Sequence, residues 1–378
     1  MRRVLFLGLV CAACGDQAGD TIENPTRDTY EQWIKIEPPG VVCGNNTPYK
    51  FFVNFSAKSD NLVVVLEPGG ACWDYDSCTG ANGIRGAANV DGLADDHFKL
   101  APFISPFLNR SSDEVSTTEW NYVYIPYCTG DVHTGNTVAT YPSDDGTQSV
   151  VFHHDGHHAM QEIVSWIDSN FTHVPKMFVT GCSAGGVGSA VDYYFLRKGI
   201  HSVKKGYMLD DSGPVYPSSG YSGMLHTKIR SAWNVDSIAD ELPAGFTFDD
   251  MGTINTAIAD AFPNDRLATT YFRRDMDFSL YSYERFYNLN AATDKEEILR
   301  MWNSDTQLLT KLFDTRKNLH YFIPYWRNVN DSHCTTLFSF AGSSIEQKNL
   351  DLGPWIEDLL DDNDIDSAIE DPVPGEDP

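Results

Sequence analysis

Gly181-Cys182-Ser183-Ala184-Gly185-Gly186 is the stretch of this chain best suited to chemistry. A serine in a G-x-S-x-G pattern can present its hydroxyl from a sharp turn as a nucleophile. Its small neighbours let the chain reverse tightly. The amide of Ala184, at the start of a following helix, can then bear on a developing negative charge. A serine alone is a weak nucleophile and needs a base. Of 11 histidines, His333 is the strongest candidate, because it lies late in the chain in the polar loop Asn330-Asp331-Ser332-His333-Cys334. Cys182 adjoins the serine and Cys334 adjoins the histidine. A bridge between them would hold nucleophile and base near each other, as positioned catalysis requires.

The elements that must position these residues are legible around them. Residues 176–180 read as a buried strand and 188–197 as a helix, so the serine sits in a strand-turn-helix context. Residues 49–56, 62–66, 121–127, 205–209 and 267–272 read as further strands. Helical spacing covers 158–171 and 294–313, runs with breaks through 229–258, and begins again at 355–360. Strands alternating with helices, with glycine-bearing loops at strand ends, indicate an α/β fold: a mostly parallel sheet with helices on both faces.

A chain of 378 residues, 42% hydrophobic and 12% aromatic, can bury a sizeable core, which excludes global disorder. Its formal charge of −26 argues against nucleic acid as a partner. Met1-Arg2-Arg3, an apolar run from Val4 to Ala13 and then Cys14-Gly15-Asp16 read as an export signal, too short to span a bilayer as a mature helix. Cys14 after Ala12-Ala13 is a candidate lipid-anchored residue. The protein is therefore expected to be bacterial and exported, either held at the cell envelope or secreted, and no other segment is long and apolar enough to cross a membrane. The expected organisation is a signal over 1–14, a tether and N-terminal segment over 15–39, one domain over 40–356, and an acidic disordered tail over 357–378. A monomer is expected.

Removing Cys11 and Cys14 leaves six cysteines, an even number that points to disulfides in an oxidising compartment. They contain no C-x-x-C pair, which argues against a structural zinc. His153-His154-Asp155-Gly156-His157-His158 has ligand types for a transition metal. Gly156 interrupts that run and no further ligand is evident, so a packed helix start is the expectation. His133 is expected to line the cleft.

Four motifs, in order, resemble the pectin acetylesterases, a family that includes the animal carboxylesterase Notum. They are Leu66-Glu67-Pro68-Gly69-Gly70-Ala71-Cys72, Pro126-Tyr127-Cys128-Thr129-Gly130-Asp131-Val132-His133, the serine turn, and Asp211-Ser212-Gly213. The resemblance implies an α/β-hydrolase-like fold, in which a serine first and a histidine last is the usual order. It also implies removal of acyl groups without metal or cofactor. Carried over position by position, Ser183 is the nucleophile and His333 the base, with the amides of Gly70, Ala71 and Ala184 as the oxyanion hole. Gly69-Gly70, just past a strand, is also where backbone can approach a ligand closely. Pro68 stands where relatives usually have glycine and Ala71 where they usually have tryptophan, which bears on pocket shape.

By the same resemblance the acid follows a strand between serine and histidine. Asp275 is the first choice, with Asp277 and Asp211 as alternatives. The glutamine that relatives commonly carry three residues later is absent. The family pattern pairs Cys43 with Cys128 and Cys72 with Cys78. A Cys-Ser plus His-Cys arrangement like that of Cys182 and Cys334 is found in secreted esterases related to tannases and feruloyl esterases. The function implied is an exported serine esterase that deacetylates a polysaccharide such as pectin. A hydrolase for longer acyl, feruloyl or polyester substrates is one alternative, and a noncatalytic carbohydrate-binding protein on the same fold is the other.

Overall fold

The computed structural model describes residues 29–81 and 85–372. The expected export signal, Cys14, residues 15–28 of the expected tether and residues 373–378 of the tail lie outside the described residues. In chain order the strands are β1 (Trp33–Ile36), β2 (Phe51–Asn54), β3 (Leu62–Leu66), β4 (Asn121–Ile125), β5 (Thr137–Pro142), β6 (Ser149–His154), β7 (Val174–Cys182), β8 (Val203–Asp211), β9 (Arg266–Thr270), β10 (Leu319–Ile323), β11 (Ser344–Ile345), β12 (Leu350–Asp351) and β13 (Ala368–Ile369). The α-helices are α1 (Tyr75–Thr79), α2 (Ala101–Ile104), α3 (Gly156–Asn170), α4 (Ala184–Gly199), α5 (Gly223–Ala232), α6 (Thr253–Ala261), α7 (Met276–Tyr283), α8 (Lys295–Phe313) and α9 (Leu352–Leu360).

One sheet runs β1-β2-β4-β3-β7-β8-β9-β10-β13. Its β1–β2 and β2–β4 pairs are antiparallel, and the others are parallel. Strands buried on both faces need apolar residues at every position, and Leu62-Val63-Val64-Val65-Leu66 supplies them. Leu62, Val64 and Leu66 enter a core packed by α3, α4, α6 and α8, including Ile163, Leu196, Ile258 and Trp302. Val63 and Val65 enter the opposite core, with Phe107, Trp355 and Leu359. The chain is thus an α/β fold with a mostly parallel sheet covered on both faces.

The register sets the ends of the central strands side by side. Leu66 lies opposite Gly181, Cys182 opposite Asp211, and Asp211 opposite Thr270. The loops leaving β3, β7, β8 and β9 therefore emerge at one edge, where an open parallel sheet places its ligands.

In the N-terminal segment, residues 33–36 form edge strand β1, with Ile34 and Ile36 packed on the core. The C-terminal end departs from expectation. Residues 357–372 of the expected disordered tail are ordered. In α9, Trp355, Ile356, Leu359 and Leu360 are buried against the sheet, and β13 extends the sheet beside β10. The acidic side chains that suggested disorder have partners. Asp361 pairs with Lys176 at 3.2 Å, Asp362 with Lys205, and Glu370 accepts the Tyr325 amide at 2.8 Å. An amphipathic stripe outweighs net acidity when the charged face meets lysines.

The middle of the chain is less helical than its sequence suggests. Residues 229–258 span the end of α5, a 3-10 segment (Val235–Glu241) and the start of α6. His153 and His154 belong to β6 of an antiparallel hairpin, and α3 begins at Gly156.

Leu359 is fully buried, so Leu359→Ala should destabilise the protein by about 2–5 kcal/mol in denaturant unfolding. A disordered tail would leave the midpoint unchanged.

Candidate active site

β7 delivers the serine and α4 leaves from it. Ser183 adopts φ 57° and ψ −120°, a left-handed conformation that costs a non-glycine residue about 1–3 kcal/mol and persists only where surroundings enforce it. The enforcement is visible. Ser183 N–H donates to the Asp211 carbonyl at 2.8 Å, and the backbones on either side are too close for side chains. A Cβ on Gly185 would strike the Leu66 carbonyl, and one on Gly181 the Gly185 carbonyl. The small residues around the serine are thus required by packing of β3 against β7 and α4.

His333 reaches the same place from a loop after β10. Its Nδ1 lies 2.8 Å from Asp275 Oδ2. Asp275 is the N-cap of α7, with its other oxygen accepting the Phe278 amide at 2.9 Å. One fully buried carboxylate thus starts a helix and meets the imidazole. Asp277 is near the other ring nitrogen but farther off: its Oδ2 is 3.7 Å from His333 Nε2, and its Oδ1 pairs with Arg85. Burial opposes a charge on His333, but the Asp275 carboxylate outweighs it, with Asp277 and Asp211 adding, and the imidazole is raised above its usual 6.5. Burial also pushes the Asp275 carboxyl up, against the pull of His333.

Asp211 does not touch the imidazole. Its carboxylate accepts the amides of Thr335 and Thr336 at 2.7 and 2.8 Å, and both threonine hydroxyls as well. The loop is gripped from its other side by Arg327, which donates to the carbonyls of Cys334, Thr335, Ser339 and Ala341. No sequence signal singled out Arg327, because its role depends on how the loop folds around it.

Among the described residues there are three disulfides, Cys43–Cys128, Cys72–Cys78 and Cys182–Cys334, the last joining the residues beside Ser183 and His333. The last closes 152 residues, a loop for which the chain-entropy model gives about 5 kcal/mol of stabilisation.

After β3, Gly70 has φ 68°, and a Cβ there would strike the Gly86 carbonyl and the Tyr281 hydroxyl. Tyr281 Oη donates to Gly86 at 2.7 Å and receives the Ala71 amide. Ser183, Gly70 and Tyr281 line two cavities at once. One is a polar cleft that also holds His333, Asp277 and Asn330. The other is apolar, walled by Trp73, Val187, Leu225, Trp233, Phe246 and Met251 among others. It measures about 120 Å³, space for about four waters at the liquid's roughly 30 Å³ each. Its wall is assembled from scattered positions in the irregular 214–254 region, so no sequence pattern announced it. Tyr281 had one available signal: it stands four residues beyond Asp277, on the same face of α7.

The other histidines singled out by the sequence, His133 and those of 153–158, are not among the residues lining the polar cleft. His133 is buried rather than lining the cleft, bonded through Nε2 to the Glu67 carbonyl at 3.0 Å, and burial lowers it to about 4. His154 donates from Nδ1 to the Thr129 carbonyl and accepts the Tyr141 hydroxyl, His157 contacts Gln161, and His158 pairs with Asp155. These groups point to separate partners and do not converge.

A family model described as pectinacetylesterase matches residues 32–272. The chain is 26% identical over 168 residues to Pectin acetylesterase 4 of Arabidopsis thaliana, covering 42% of this chain and 38% of that protein. It is 25% identical over 206 residues to Pectin acetylesterase 7 of the same plant, covering 51% and 50%. The chain thus spans half or less of the length of these curated relatives. The structure of the Wnt deacylase Notum from Drosophila superposes with a TM-score of 0.58 at 15% identity, covering 89% of this chain and 95% of that one, a likeness of fold. The family match ends just before Asp275.

In an NMR titration His333 should ionise above 6.5. In Asp275→Asn the attraction is lost and burial, which disfavours the imidazolium, should bring it below 6.5.

Proposed function

The chain belongs to the pectinacetylesterase family, and from that premise we propose that it is a serine carboxylic ester hydrolase acting on an acylated carbohydrate. The observation that carries this reading is the meeting of a strained elbow serine and a histidine backed by a buried carboxylate in one cleft. Ser183 Oγ attacks the ester carbonyl while His333 Nε2 takes its proton, with Asp275 holding Nδ1 and stabilising the imidazolium. The oxyanion rests on the amides of Gly70 and Ala184, and on that of Ala71 once its N–H leaves the Tyr281 hydroxyl. His333 returns the proton to the departing alcohol, leaving an acyl-serine. Water, deprotonated by His333, then releases the acid and restores Ser183.

Acetyl removal is the first reading, since it is the activity in the names of the Arabidopsis relatives. The apolar cavity beside Ser183 favours a second reading, a longer acyl group, because an acetyl methyl occupies little of its 120 Å³. The exported location, with Cys14 as a lipid anchor or with free secretion, belongs to the same proposal and is supported by three disulfides. Among the described residues, no helix is long and apolar enough to cross a membrane.

The test is hydrolysis of 4-nitrophenyl acetate, butyrate and octanoate by wild type and Ser183→Ala. The variant should lose about a thousandfold or more of kcat. Rates that fall with chain length support acetyl removal, whereas a preference for octanoate assigns the cavity to a longer acyl chain. Equal rates in wild type and variant would refute the enzyme and leave a carbohydrate-binding protein.

A further inference from the structure

The two sides of Ser183 differ in how they would treat charge. The apolar cavity suits an acyl group, which leaves the polar cleft for the alcohol. Apart from His333, the one charged side chain lining that cleft among the described residues is Asp277. Arg85, adjoining Gly86 of the lining, is already paired with Asp277. The chain as a whole carries 53 acidic against 27 basic residues, a formal charge of −26. Recognition of sugar carboxylates calls for guanidinium or ammonium groups whose charge is not already balanced by a protein carboxylate. A polyuronide would instead bring its carboxylates towards Asp277 through a repulsive field. The hydroxyls of an uncharged sugar can donate to Asp277 and pair with the Asn330 amide at no such cost.

We infer that the alcohol half of the substrate is an uncharged glycan rather than a polyuronide, with Asp277 and its partner Arg85 as the specificity-determining pair. The inference rests on the esterase reading of the same site. It separates this chain's substrate from the pectin in the names of the Arabidopsis relatives.

The experiment compares acid release from water-soluble cellulose acetate and from acetylated polygalacturonate of equal acetyl content. If octanoate is the preferred model ester, octanoyl esters of the same two polymers are used. Rates are taken at about 0.01 M and about 1 M salt, between which the Debye length falls from about 30 Å to about 3 Å. At low salt the uncharged polymer should be hydrolysed about tenfold faster, and added salt should narrow the gap by accelerating the polyuronide. Asp277→Asn frees Arg85 and should raise the polyuronide-to-neutral ratio about threefold to tenfold, whereas Arg85→Gln should lower it. The ratio is read on one preparation, so partial misfolding cancels. A polyuronide preferred at low salt and slowed by salt would overturn the inference, as would a ratio that neither variant moves. Release from neither polymer, with 4-nitrophenyl acetate still hydrolysed, would also overturn it. Loss of every hydrolysis, including that of 4-nitrophenyl acetate, would instead overturn the esterase reading.

Discussion

Asp211 holds both halves of the site. Its backbone carbonyl receives the Ser183 amide, and its buried carboxylate receives two amides and two hydroxyls from Thr335 and Thr336, just past His333. Next to it, Ser212 Oγ accepts the Cys334 amide at 3.0 Å. A buried carboxylate is stable only when its lone pairs are met, and these donors meet them. The serine turn and the histidine loop, 150 residues apart in the chain, are thereby both referred to the end of β8. The Cys182–Cys334 bridge and the grip of Arg327 act on the same loop from other directions.

That redundancy accounts for the strain the region tolerates. Ser183, Ser212, Asn330, Asp331, Ser332 and Cys334 all have positive φ without being glycine. Such conformations survive where surrounding contacts over-determine the backbone, and they concentrate at sites whose geometry must be set before a ligand arrives. The loop between Arg327 and Ser343 has no regular ladder, so side-chain donors and acceptors take the place of strand pairing in satisfying its backbone.

Across Ser183 the site changes character. The elbow, Gly70 and Tyr281 form the partition between a polar cleft and an apolar cavity. Tyr281 is suited to this place because its ring faces apolar walls while its hydroxyl is bonded at Gly86 and Ala71. The cavity itself is built by α5, α6 and the segments between them, stacked over the start of α4. Sheet and elbow position the serine, while this cap shapes the space on one side of it.

What the sequence determined by itself is what local physics governs. The apolar run 62–66 and the small residues of 181–186 admit few conformations, so the buried strands and the turn around Ser183 were legible, and with them the α/β class. The adjacency of Cys182 to Ser183 and of Cys334 to His333 already pointed to serine and histidine as neighbours, and the Sγ atoms of those cysteines are joined. Which aspartate faces the imidazole was ranked by family resemblance, with Asp275 first, and not by the residues themselves. Asp275, Asp277 and Asp211 are chemically alike, and only the start of α7 and the register of β8 aim them at Nδ1, at Arg85 and at the backbone of 335–336. The ordered acidic terminus was hidden for a related reason. Composition records its charge, but its order comes from Trp355, Ile356 and Leu359 packing on the sheet, with Lys176 and Lys205 meeting Asp361 and Asp362 across the fold. Residues near in sequence disclosed their structure, whereas contacts made across the fold were decided by tertiary packing.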